Sequence, residues 1–216
     1  MALTQVPNEL LEIGVKAFGT SSFMIGDTTT GTIDAANYNT GVGVNVFESL
    51  NTGDNNTALG FNALQSNTTG SDNTAIGRTT LVSTTTGSNN TAVGSIALNV
   101  NTGDHNTAVG KSALAANTSG ERNTGLGSLC LDANTTGNYN TGAGYATLSE
   151  NTTGSQNTGF GYAALGNNST ASNNTAVGYT ALNTNTTAND NTAVGFNALG
   201  TTSTGNENVA VGKASL

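Results

Sequence analysis

Polar and apolar positions along this chain recur every 17 residues. The segment Asn56-Thr-Ala-Leu-Gly60 returns at Asn73, Asn90, Asn106, Asn123, Asn140, Asn157, Asn174 and Asn191, with variants at Asn39 and Asn208. The one departure is a spacing of 16 between Asn90 and Asn106. Counting each unit from its Asn, the consensus places Asn-Thr-Ala-Val-Gly at positions 1–5, Ala-Leu at 8–9 and Asn-Thr-Thr-Gly at 12–15. All eleven units hold Asn at position 1 and Gly at position 5, and position 9 is Leu in ten and Phe47 in the other.

A 17-residue unit is too short for a helical hairpin, and Asn, Thr and Gly are weak helix formers. Thr and Val suit strands, and Asn and Gly suit turns. The pattern therefore predicts an all-β parallel β-solenoid (β-roll) of about 12 coils. Each coil is expected to have a first strand at Thr57–Leu59, a second around Ala63–Leu64, and a return turn at Asn67–Gly70.

Strand alternation puts Thr57 and Leu59 on one face and Asn56, Ala58 and Gly60 on the other. The expectation is that the Val/Leu/Ile/Phe position packs inside with the Leu64 type. The Ala/Gly face then invites a neighbouring chain, most simply as a homotrimer. In-register stacking aligns each Asn with the next as an amide ladder, and the invariant Gly marks a special backbone angle or a close approach.

The frame extends upstream in degraded form. Phe23-Met-Ile-Gly26 lies 17 residues before Thr40-Gly-Val-Gly43, and Leu11–Phe18 fits the frame again. The expected organisation is an N-terminal attachment arm at 1–9, degenerate capping repeats at 10–38 and regular repeats at 39–216.

Composition narrows the function. Charged residues make up 8% and the net charge is −8. The few Lys and Arg are scattered, which argues against nucleic acid, whose phosphates need clustered cations. No apolar run is long enough to span a membrane as a helix. The opening residues lack the basic and apolar regions of a secretory signal, so synthesis in a host cytoplasm is expected.

Catalytic material is scarce. His105, the only histidine, occupies a turn position and has no nucleophile or acid arranged around it, so no enzyme activity and no cofactor are expected. Asp54, Asp72, Asp104, Asp190 and Glu207 recur at the same turn as single carboxylates, a poor cage for a hard cation, so no metal is expected. Cys130 replaces the Ala of position 8 and reads as a small packing residue. The Asn-x-Thr sequons follow from the repeat itself.

Position 6 stands out. It reads Tyr145, Tyr162, Tyr179 and Phe196 in four successive units. The bland reading is a stabilising ring ladder, and the functional one is a glycan or partner surface. The regular Thr at position 2 raises an ice-binding ladder as a third reading, set against by its inward assignment.

The Asn-Thr-Ala-Val-Gly-x-x-Ala-Leu phrase resembles the Ser-Val-Ala-Ile-Gly-x-x-Ala phrase of trimeric autotransporter adhesin heads, which are left-handed parallel β-rolls. It is also similar to repeats of bacteriophage tail and capsid fibres, and Met1–Pro7 is similar to the opening of some phage fibre proteins. The likeness spans residues 10–216. The adhesin period is shorter, and the adhesin's signal peptide, stalk and anchor have no counterpart here, which favours a virion component. The resemblance implies a homotrimeric fibre, spike or capsid decoration of a phage, joined to other virion proteins through the N-terminal arm. The alternative is a cell-surface adhesin binding host glycans.

Overall fold

A computed structural model describes residues 14–18, 21–26, 35–201 and 204–216. The chain forms a single 13-stranded sheet with strands in sequence order. β1 (Gly14–Phe18) and β2 (Ser22–Gly26) precede β3 (Thr40–Gly43) and β4 (Thr57–Leu59). Further three-residue strands follow once per coil, through β12 (Thr192–Val194) to β13 (Val209–Val211). From β2 to β13 all neighbours are parallel and in register, position by position. At about 4.8 Å per step the stack is roughly 50 Å long. The protein is a parallel β-solenoid with one strand per 17-residue coil.

The upstream frame is half retained. Gly26 pairs with Gly43 in parallel register, so the Phe23–Gly26 segment is a true coil strand. β1 instead pairs antiparallel with β2, Gly14 opposite Gly26, so this stretch forms a hairpin rather than another coil. The proposed arm at 1–9 lies outside the described residues.

Two expectations are corrected. No second strand forms at Ala63–Leu64. Asn62 and Leu64 take φ values of 57° and 50°, and positions 7 and 9 repeat this in coil after coil. Left-handed backbone costs a Leu about 1–2 kcal/mol, yet Leu64, Leu98, Leu131 and Leu165 are all fully buried at these corners. The backbone remains paired between coils through the corner, because Leu64 N–H donates to Thr80 O and Asn62 N–H to Val44 O.

The strand faces are also reversed. Ala58, Ala75, Ala92 and Ala108 point inward and are buried, whereas Leu59 is 47% and Leu126 43% exposed. The core is a thin seam of small residues at positions 3 and 8, Leu at position 9, and Asn at positions 1 and 12. A seam this thin has room for little more than a methyl group opposite position 8. A side chain at Gly142 would lie 2.5 Å from Cys130 Sγ, and one at Gly159 would lie 2.6 Å from Thr147 Cγ2. Position 3 is Gly in the coils that follow Cys130 and Thr147, whereas the coil that follows Thr80 keeps Ala92.

Stacking satisfies most of the buried polar groups. From Asn39 to Asn174, each position-1 Asn accepts the backbone N–H of the next one on Oδ1, as Asn73 N–H to Asn56 Oδ1 at 3.0 Å, and donates from Nδ2 to a turn carbonyl, as Asn56 to Gly70 O. A second amide ladder runs through position 12, with Asn117 donating to Asn101, Asn134 to Asn117 and Asn151 to Asn134. At position 5, Gly127 has φ +141°, and a Cβ there would sit 2.2 Å from Gly144 O. Both reasons expected for this Gly operate together.

Candidate interaction face

The outward side of each coil is built by alternation about the buried position-3 residue. In one coil Asp72, Ile76 and Arg78 are exposed and Thr74 is half-buried, while Asn73 and Ala75 are buried. Repetition turns these into four parallel files. The residue before the Asn forms one edge, Thr and an apolar residue form the middle, and position 6 forms the other edge.

The middle carries the apolar surface. Leu59, Ile76, Val109, Leu126, Phe160, Val177 and Val194 are each more than a third exposed, and Val209 and Val211 continue the face at β13. The file from Thr40 to Thr192 lies beside them, on the outside rather than the inside. This face was missed because a three-residue strand gives alternation without saying which side is in. A usable signal was present. Position 4 ranges from Ala143 to Phe160, a spread that a thin core would reject, while position 3 is never larger than Ala.

The position-6 aromatics stack as a ladder. Ring centroids are 5.5 Å apart for Tyr145–Tyr162, 5.0 Å for Tyr162–Tyr179 and 5.4 Å for Tyr179–Phe196, with planes within 14°. Lys213 Nζ lies 5.8 Å above the Phe196 ring. The ring faces are thus turned toward one another, and what the ladder presents outward is ring edges and hydroxyl groups.

The remaining sequence candidates separate rather than converge. Among the described residues no His, Cys, Asp and Glu group of three or more is placed to hold a metal. The exposed His105 stands in a turn. Asp54 Oδ1 accepts the Asn37 N–H and Asp104 Oδ1 the Ser88 N–H, so these carboxylates bind the neighbouring coil. Cys130 is free and buried, and burial pushes its thiol pKa up to about 12, which makes it unreactive as a thiolate.

No family model, curated protein or solved structure matches the chain. Among the described residues no helix is long and apolar enough to cross a membrane.

Proposed function

We propose that the chain is a non-catalytic structural rod that works as a homotrimer, serving as a fibre, spike or decoration of a bacteriophage particle. The observation that carries this reading is the outward Thr/apolar face, which runs the length of the solenoid without a charged residue in its two middle files. At about 50 Å by 15 Å it offers on the order of 800 Å² per copy, the area a stable interface needs from each partner. Contiguous apolar surface of this extent marks an association site. The neighbouring chain thus sits on the Thr/Val face, and the Ala/Gly face belongs to the core. The virion assignment is supported by the full-length repeat and by the likeness to phage fibre repeats.

Native mass measurement of the purified chain tests the assembly, with an expected mass three times the 21.4 kDa of one chain. A monomer at micromolar concentration would overturn it. For the location, the chain is expected as a component of purified phage particles, and recovery with a bacterial outer membrane would count against a virion role.

One observation favours a second reading. The Thr file at position 2 faces outward in ten successive strands, Thr40 to Thr192, the placement an ice-binding ladder requires. This reading needs the face open to water, so it predicts a monomer with measurable thermal hysteresis. A trimer without hysteresis excludes it.

A further inference from the structure

The two edges that flank the Thr/apolar face differ in charge. The edge preceding each position-1 Asn collects six acids, Asp54, Asp72, Asp104, Glu121, Asp190 and Glu207, against one cation, Arg122. The opposite edge, position 6, has no acid and carries Arg78, Lys111 and Lys213, three of the five Lys and Arg in the chain. Each of these cations has an acid in the one or two residues before the Asn of its own coil: Asp72 for Arg78, Asp104 for Lys111 and Glu207 for Lys213.

These groups do not meet within one chain. The residue before the Asn and position 6 flank the three-residue strand on opposite sides, as Asp72 and Arg78 flank Thr74–Ile76. Among the described residues the only ion pair is the local one between Arg122 and Glu121, at 3.0 Å. Arg78 and Asp72 are both exposed, as are Lys213 and Glu207. Each of these three coils therefore presents a cation and an anion at the same height, on opposite edges of a face that lacks its own cover.

From this we infer that copies of the chain associate in parallel and in register, around an axis along the rod. The position-6 edge of one copy lies against the acidic edge of the next. The inference rests on the self-association proposed above and adds its polarity and register. Rotation about an axis along the rod keeps every coil at its own height, so Arg78 meets Asp72, Lys111 meets Asp104 and Lys213 meets Glu207 of the neighbour. An antiparallel pair facing across the same surface sets the acidic edge against the acidic edge, six carboxylates on each side, and like-charge juxtaposition of this kind suppresses wrong pairings. A slip by one coil sets Arg78 opposite Ser88 and Asn89 in one direction and Lys111 opposite the same two residues in the other, so only the in-register arrangement gives all three cations an acid. The charges thus act on orientation and register, while the apolar middle supplies the area.

Distance-limited cross-linking in the full chain tests this. In a Cys130→Ala background, which places at position 8 the residue most coils have, Asp72→Cys is combined with Arg78→Cys. A short bis-maleimide is expected to link this variant between chains into covalent oligomers of the native size. Asp72→Cys combined with Glu207→Cys is expected to give none. That second pair reports an antiparallel arrangement centred on coil 140, in which coils 73 and 208, four coils to either side, exchange places. Linking of the second pair, or an oligomer in which neither pair links, overturns the parallel in-register arrangement and leaves self-association standing. A monomeric native mass removes the association on which the inference rests.

Discussion

The stretches 39–100 and 101–200 follow one repeat but hold themselves together differently. In the lower stretch position 12 reads Leu50, Asn67 and Thr84, and position 6 reads Val44, Phe61, Arg78 and Ser95. In the upper stretch position 12 is an unbroken file of Asn from Asn101 to Asn185, and position 6 gathers four stacked rings. The consequence is visible in single atoms. Asn67 Oδ1 is buried without a partner, because the Thr84 hydroxyl above it donates instead to Asn101 O. Asn134, by contrast, both donates to Asn117 and accepts from Asn151. Both stretches keep Gly at position 5 and Asn at position 1 throughout. A solenoid repeat therefore contains obligatory positions, set by backbone geometry, and optional ladders that gain strength only from uninterrupted runs.

The largest effect should come from an obligatory position, and it should be the same in both stretches. Gly127→Val forces a β-branched residue to φ +141° and drives its Cβ into Gly144 O. Backbone strain alone is about 1–3 kcal/mol, and the clash adds to it. A fall in Tm is expected for Gly127→Val in the upper stretch and for Gly77→Val in the lower, read by circular dichroism. Gly137→Ala, at position 15, should be much milder even though its Cβ would approach Gly154 O at 2.3 Å. The same position holds Ala171 and Ala188 in later coils, both buried, so the stack shifts to admit a methyl group there. Equal losses at positions 5 and 15 would erase the distinction.

The ladders should separate the stretches. Asn134→Ala leaves Asn117 Oδ1 without its donor and takes an acceptor from Asn151. A buried polar group stranded in this way costs about 1–3 kcal/mol. Asn67→Ala removes a side chain whose oxygen is already unpaired, and Gly70 O still receives a hydrogen bond from Asn56. The expected loss there is at most about 1 kcal/mol. Urea unfolding of the two variants measures the difference, and a larger loss at Asn67 would reverse the account.

Period, coil length, parallel stacking and the Asn ladder were legible in the sequence because each rests on recurrence alone. The faces were not. With strands of three residues, alternation assigns Thr57 and Leu59 to one side without fixing its direction, and hydrophobicity pointed the wrong way. Leu59 is apolar and outside because the coil is too thin for a large residue at both position 4 and position 9. The missing second strand was hidden for a different reason. Local preference disfavours Leu at positive φ, and only burial of Leu64 and inter-coil hydrogen bonds overrule it. Of the candidate site, the aromatic file was visible as a file, but the stacking that turns ring faces together depends on the coil geometry.

The smallest expected effect tests whether an unpaired polar atom in the upper stretch is a weak point. Asp132, at position 10, has a buried Oδ1 without a partner. Burial raises its pKa above the ordinary value; a backbone hydrogen bond opposes the shift, and the nearby Glu150 carboxylate adds a smaller upward push. The folded protein therefore binds this proton at a pH where the unfolded chain has released it. Ionised Asp132 weakens the fold above its folded pKa, and the penalty disappears as the pH falls below the unfolded value. Asn occupies this position in two other coils, as Asn99 and Asn183. Asn183 Nδ2 donates to Ala163 O at 2.8 Å across Gly166, where a Cβ would lie 2.6 Å from that nitrogen, and the coil before Asp132 carries Ala115 at that place. Asp132→Asn therefore removes the charge without gaining that hydrogen bond. At neutral pH it should raise stability by about 0.5 kcal/mol, the scale of a change at a partly exposed site. In acid, where the native carboxyl is protonated, the advantage should vanish. Thermal melts of both proteins across the acid range decide the matter. A gain that grows as the pH falls would show that the carboxylate is stabilised by its surroundings rather than penalised by them.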